Sequence, residues 1–178
     1  MSGQNCPDIF ELADGNFAVI GTDDTKGLDA QLPADATLSE DYRIVVVTRE
    51  TLTHAKVDIP LDIDSSRMSS AVPHTAQVQA DSSRHVPKPE IRGGQQQVQI
   101  LRRLGTPPRQ RRTRPSMNAG TCPDIFELSD GTFAVIGTEA TEALKSKLPA
   151  DASIADYERI VIIPREIMID AKTDIPDA

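Results

Sequence analysis

Near its start the chain alternates apolar and polar residues in short runs. DIFEL at 8–12 and FAVIGT at 17–22 flank Ala13-Asp14-Gly15-Asn16. Asp-Gly between such runs predicts a β-hairpin with a type I′ turn, which needs φ > 0 at both central residues. A two-residue turn pairs Leu12 with Phe17 and Phe10 with Val19, so these four share one face. Ile9, Ala18 and Ile20 then share the other with Glu11, a face that is only half apolar. Farther on, RIVVV at 43–47 is a β-branched run of the kind found in a buried strand. Thr48 suits an N-cap and opens a last short helix reaching Lys56, which Asp58-Ile59-Pro60 ends.

The same pattern returns. Residues 6–60 align with 122–176 at a constant offset of 116 without a gap, and 32 of the 55 pairs are identical. Self-similarity at this level marks a duplication. The second copy shows its middle helix more clearly, as TEATEALKSKL at 138–148, with Leu144 and Leu148 four apart and Glu139 and Glu142 near the positive end of the helix dipole. Gly27 stands where the second copy has Ala143, a cost of about 1 kcal/mol in helix propensity, so the first copy's helix is expected to fray. Pro164 replaces Thr48 in the first turn of the last helix. The expected fold class is α+β, two copies of a small β-β-α-β-α unit of about 60 residues each. A unit that small buries only about 60% of its unfolded surface. Copy-on-copy docking, or homodimerisation, is the expected remedy.

Charge divides the chain the same way. Residues 1–60 carry 11 acidic and 4 basic side chains, and residues 117–178 carry 12 and 5. The segment between, 61–116, carries 4 and 10, has no aromatic residue, and only 14 of its 56 residues are hydrophobic. So little apolar surface predicts a basic, disordered linker rich in Pro, Gln and Arg. One local exception is QQQVQILRRLG at 95–105, where Val98, Leu101 and Leu104 fall on one helical face before Gly105 and two prolines. Met117 aligns with Met1, and the second copy ends naturally at Ile175-Pro176-Asp177-Ala178. The expected origin is a fusion of two tandem reading frames with translated spacer between them, which genomic sequence around codons 61–116 would reveal.

The duplication also filters candidate chemistry, since a group both units need must be present in both. His54 aligns with Asp170, which excludes a shared Ser-His-Asp, Cys-His or His-containing metal arrangement. Cys6 and Cys122 read as small apolar residues leading into the first strand. No signal peptide precedes them, which predicts a reducing cytoplasm and argues against a disulfide. No run is apolar enough to span a membrane. Acidic residues recur at Asp8/Asp124, Glu11/Glu127, Asp14/Asp130, Asp35/Asp151, Glu50/Glu166 and Asp58/Asp174, and read as a solvated acidic surface rather than an acid–base pair. No Gly-rich phosphate loop or nucleophile elbow is present, and no cofactor, metal or catalytic residue is assigned.

Interaction candidates are Arg49, Glu50, Arg165 and Glu166, at helix starts beside a strand end, with Ile9, Ile20, Ile125 and Ile136 on the half-apolar sheet face. The six arginines between Arg102 and Arg114 could touch nucleic acid, or the acidic copies themselves.

The repeat, CPDIFEL-DG-FAVIGT, then LPADA, RIV, RE and AK-DIP, resembles short stand-alone proteins of actinobacterial type. The resemblance covers 1–60 and 117–178, implies that one copy is the normal unit, and implies no activity, cofactor or catalytic residue. The expected function is a non-enzymatic protein-interaction module, duplicated in tandem, with an unknown protein partner. A transcription-related or nucleic-acid-associated regulator comes second, and a small carboxylate-dependent enzyme third.

Overall fold

The computed structural model describes residues 7–36, 38–61, 97–107, 110 and 123–177. Cys6 and Cys122 lie outside them, as do Arg109, Arg111, Arg112 and Arg114 of the arginine run. The architecture is mixed α+β, with an antiparallel sheet of seven strands among the described residues. From the N-terminus come β1 (Asp8–Glu11), β2 (Phe17–Asp23), α1 (Thr25–Leu28), β3 (Tyr42–Val47) and α2 (Arg49–Ala55). Then follow β4 (Ile100–Leu104), β5 (Asp124–Leu128), β6 (Phe133–Glu139), α3 (Thr141–Leu144), β7 (Glu158–Ile163) and α4 (Arg165–Ala171). Among the described residues no helix is long and apolar enough to cross a membrane.

The hairpin turns are not type I′. Gly15 and Gly131 have φ near +86°, and among the described residues no non-glycine residue has a positive φ. Gly15 N–H donates to the Leu12 carbonyl, and Leu12 N–H donates to that of Asn16, at 2.9 and 2.8 Å. This is a three-residue loop, a type I turn closed by a glycine bulge. The extra residue moves the register by one, so Glu11 faces Phe17 and Ile9 faces Val19. A one-residue shift exchanges the faces. Ile9 therefore joins Phe17 and Val19 on one side, and Phe10 and Leu12 join Ala18 and Ile20 on the other. The face expected to be half apolar is apolar on both strands.

The two repeats are joined strand to strand. Phe17 to Thr22 of β2 pair with Ile163 to Glu158 of β7, and Tyr42 to Val47 of β3 pair with Thr138 to Phe133 of β6. Within a repeat, β2 and β3 share only two residue pairs, Thr22 with Val46 and Asp23 with Val45. The match in the second repeat is equally short, at Thr138 with Ile162 and Glu139 with Val161. Exchanging the repeats, by adding 116 to each first-repeat number and subtracting it from each second-repeat number, maps every pairing onto its counterpart.

Packing follows the same exchange. On one side α2 and α4 contribute Leu52, Ile167, Met168 and Ala171 to a cluster with Val19, Val45, Val135 and Val161, all at most 2% exposed. On the other side Leu28 and Ala36 of the first repeat cover Phe126, Ala134 and Ile136 of the second. Leu144, Leu148 and Ile154 of the second repeat cover Ala18 and Ile20 of the first. Two lysines repeat the exchange at the helix ends. Lys56 Nζ donates to the Ile175 carbonyl at 2.6 Å, and Lys172 Nζ donates to that of Ile59.

The middle helices are shorter than expected. Thr138 and Glu139 belong to β6, because Thr138 pairs with both Tyr42 and Ile162. Only Thr141–Leu144 is α-helical, followed by a 3-10 turn at Lys145–Lys147. The first repeat's α1 is no more frayed than α3. Gly27 N–H is held by the Asp24 carboxylate, whose oxygen would lie 2.4 Å from a Cβ at position 27. Thr48 caps α2 as expected, its Oγ1 accepting from Thr51 N–H at 3.2 Å, and Pro164 takes the same place before α4.

The largest departure lies in the middle segment. Residues 97–107 are not linker, and the described part of the expected helix, 97–105, is not helical. β4 is an edge strand antiparallel to β5, with a bulge between Ile100 and Arg102. Val98 and Ile100 pack with Phe126 and Leu128, while Leu104 packs on the opposite side beside Ile125. The bulge lets one strand feed both faces and leaves Leu101 exposed.

A repeat on its own would uncover Val19, Val45, Val135 or Val161, and each buried aliphatic side chain contributes about 1.5–3 kcal/mol. Residues 117–178 expressed alone are therefore expected to associate as a dimer or to stay unfolded in sedimentation and circular dichroism. A folded monomer would contradict the pairing scheme.

Candidate interaction edge

Strand order runs from β1 at one end to β4 at the other. β1 pairs with β2 on one edge, and its outer edge carries no strand among the described residues. Its counterpart β5 is flanked on both edges, by β6 and by β4. The consequences for burial are direct. Ile125, Phe126 and Leu128 are at most 1% exposed, whereas Ile9, Phe10 and Leu12 are only partly buried.

β4 is held on β5 mainly by charge. Arg103 Nη1 and Nη2 donate to the two carboxylate oxygens of Asp35 at 2.9 and 2.8 Å. Its Nε lies 2.6 Å from Asp124, a carboxylate with no exposed surface, and its guanidinium sits 5.2 Å from the centre of the Phe126 ring. Burial works against the charged guanidinium, but Asp35 and Asp124 outweigh it and hold the Arg103 pKa above its usual value. One arginine thus fastens the middle segment to both repeats. Arg102 Nε donates to Glu127 at 2.6 Å, and its Nη2 reaches the Asp174 carbonyl at 3.2 Å.

Backbone groups complete the seat. Gln31 donates to the Val98 carbonyl at 2.9 Å and accepts from Ile100 N–H at 3.2 Å. Gly105 N–H donates to Asp174 at 2.7 Å, and Thr106 donates to Asp170 through both N–H and Oγ1. Gly105 has φ near +78°, and a Cβ there would lie 2.9 Å from the Asp170 carboxylate. The turn off the strand requires glycine.

Beside β1 the equivalent place is an open groove of about 370 Å³. It is lined by Pro7, Asp8, Ile9 and Glu11 of β1 and its approach, and by Thr51, His54, Ala55, Asp58 and Ile59 of α2 and its end. Subtracting 116 from Asp124, Ile125, Glu127, Asp170, Ala171, Asp174 and Ile175 gives Asp8, Ile9, Glu11, His54, Ala55, Asp58 and Ile59. The groove is the first repeat's version of the seat that Leu104, Gly105 and Thr106 fill on the second.

The residues singled out from the sequence are distributed as follows. Arg49 pairs with Glu127 at 3.2 Å, and Arg165 pairs with Glu11 at 2.5 Å. These are matching ion pairs between repeats, one made by each arginine to the other repeat's first strand. Glu50 is exposed in the first turn of α2, and Glu166 is half-buried in the first turn of α4. Ile20, Ile125 and Ile136 are at most 1% exposed and lie inside the chain's own clusters. Ile9 alone of the four isoleucines borders the groove.

The recurrent carboxylates are not uniformly solvated. Asp124, Glu127 and Asp35 hold arginines, while Asp14 and Asp130 accept the turn N–H of Asn16 and Thr132. The pKa of Glu127 is held below its usual range by the hydrogen bond from Arg102, against some burial, with Arg49 adding to it. Of the arginine run, Arg102 and Arg103 are committed to these contacts. Sequence reasoning missed Asp124, Arg103, Asp35 and Asp174 as a set, because nothing local links 35, 103, 124 and 174. Among the described residues no group of three His, Cys, Asp or Glu side chains converges to hold a metal ion. A second cleft, of about 820 Å³, runs between Glu40, Arg43, Glu142 and Arg159, where charges of both signs alternate. No family model matches the chain, and no curated protein or solved structure matches it either.

Arg103→Ala is expected to cost about 3–5 kcal/mol in chemical denaturation, because it removes the guanidinium that lies 2.6 Å from the fully buried carboxylate of Asp124. Arg103→Met combined with Asp124→Asn should recover most of that loss; an unchanged midpoint for Arg103→Ala would show that β4 adds nothing to stability. The depressed pKa of Glu127 means its carboxylate stabilises the fold above the unfolded value of 4.5, and that stabilisation is lost as pH falls through the lower folded value. Glu127→Gln should therefore be less stable than the parent at neutral pH, with the gap shrinking below pH 4.5 in denaturation series.

Proposed function

We propose that this chain is a non-enzymatic protein-interaction module, a tandem duplication of a β-β-α-β-α unit, that receives a segment of another protein along β1. The observation that carries the reading is the contrast between two equivalent strand edges. β5 is covered by β4, while the outer edge of β1, beside the partly buried Ile9, Phe10 and Leu12, carries no strand among the described residues. An uncovered edge strand is a template for another chain, and strand addition is a recurrent way of binding extended peptides. Here the protein already performs that addition on itself at β5. The commitment of Arg102 and Arg103 to carboxylates favours this over nucleic-acid contact through those two arginines.

The test is capture from cells of the source organism with the full chain as bait, in parallel with Ile9→Lys, which places a charge in the groove and leaves β5 untouched. A partner retained by the parent and lost with Ile9→Lys supports the reading. Equal capture by both, or none by either, overturns it.

A further inference from the structure

The groove on β1 is specific about what it would accept, because the protein holds a worked example of the occupant on its other repeat. We infer that β1 binds an extended strand of a partner protein carrying the pattern aliphatic–x–Arg–Arg–Leu–Gly, run antiparallel to β1 as β4 runs to β5. This rests on the protein-binding reading above and adds the chemistry of the partner.

The carboxylates that recognise β4 recur around β1. Asp124 and Asp35, which hold Arg103, correspond to Asp8 and Asp151, both exposed. Glu127, which holds Arg102, corresponds to Glu11, and Asp174, which accepts Gly105 N–H, corresponds to Asp58. Glu11 is also paired to Arg165, but so is Glu127 to Arg49, and Glu127 holds Arg102 at the same time. Phe10 stands where Phe126 carries the guanidinium of Arg103, and Ile9, Ala55 and Ile59 stand where Ile125, Ala171 and Ile175 receive Leu104. An arginine, a leucine and a glycine in that order meet matching groups.

The differences narrow the pattern further. Gln31, which both donates to and accepts from β4 upstream, corresponds to Lys147, which donates but cannot accept an N–H. Ser129, which brackets Gln99, corresponds to Ala13. Contacts upstream of the aliphatic residue are therefore reduced, and recognition concentrates on the Arg-Arg-Leu-Gly end. The sequence contains this pattern once, at 100–105, and it is already seated on β5. The occupant of β1 therefore comes from another chain.

The experiment titrates the isotope-labelled full chain with a synthetic peptide of residues 97–107, QVQILRRLGTP, and follows amide shifts and affinity. Saturable shifts confined to 8–11, 51–59 and the surroundings of Asp151 are expected. Asp8→Ala and Asp151→Ala, both at exposed positions, should each weaken binding roughly tenfold, the usual loss for one charge-assisted contact. His54→Asp, which restores the acceptor that Asp170 offers Thr106, should tighten it several-fold. A peptide with both arginines replaced by glutamine should not bind. Shifts at 124–128 would mean exchange with β4 and would overturn the inference, as would the absence of saturable binding. Concentration-dependent self-association abolished by Asp8→Ala would overturn it in favour of a second copy of this chain. If the peptide fails while a cellular partner is still lost with Ile9→Lys, only the arginine–leucine–glycine chemistry falls and the protein-binding reading stands.

Discussion

Everything in this fold depends on strand pairing between the repeats. β2 finds six partners on β7 and only two on β3, and the second repeat obeys the same proportion. The physical cause is the shortage of surface in about 60 residues. A single repeat has two strands whose central valines need covering and too few residues to do it. Pairing β2 with β7 and β3 with β6 brings Val19 against Val161 and Val45 against Val135. The segment after each middle helix then reaches over the neighbouring repeat's hairpin, and the ion pairs Arg49–Glu127 and Arg165–Glu11 fall into place across the same seam.

Much of the local structure was legible from residue patterns. The hairpins, the β-branched strands at 43–47 and 159–163, and the Thr48 cap all follow from short-range preferences. The register was not, since Asp14-Gly15 supports two loop lengths and only the backbone shows that one φ is positive rather than two. That single residue decided which face Ile9 and Phe10 occupy.

The middle segment departs from the linker expectation at residues 97–107 for a different reason. Averaged over 56 residues its composition is that of a chain too polar to fold, yet a strand of five residues needs only Ile100 and Leu104 to be apolar. The bulge at Ile100–Arg102 breaks the two-residue alternation, and the remaining spacing of Val98, Leu101 and Leu104 imitates a helix. The candidate site was hidden by the same segment. Arg103 looks like one of six arginines in a basic run until its carboxylate partners, 68 residues before it and 21 after, are placed around it.

Covering one hairpin edge and not the other also sets a number. Two identical repeats joined symmetrically would offer two equivalent docking edges, and a partner bearing more than one matching strand would cross-link them into extended networks. β4 occupies one edge from within the chain, so among the described residues one such edge, that of β1, carries no strand. Through the five residues of β4, a sheet built from two closely similar halves is made asymmetric at its two ends.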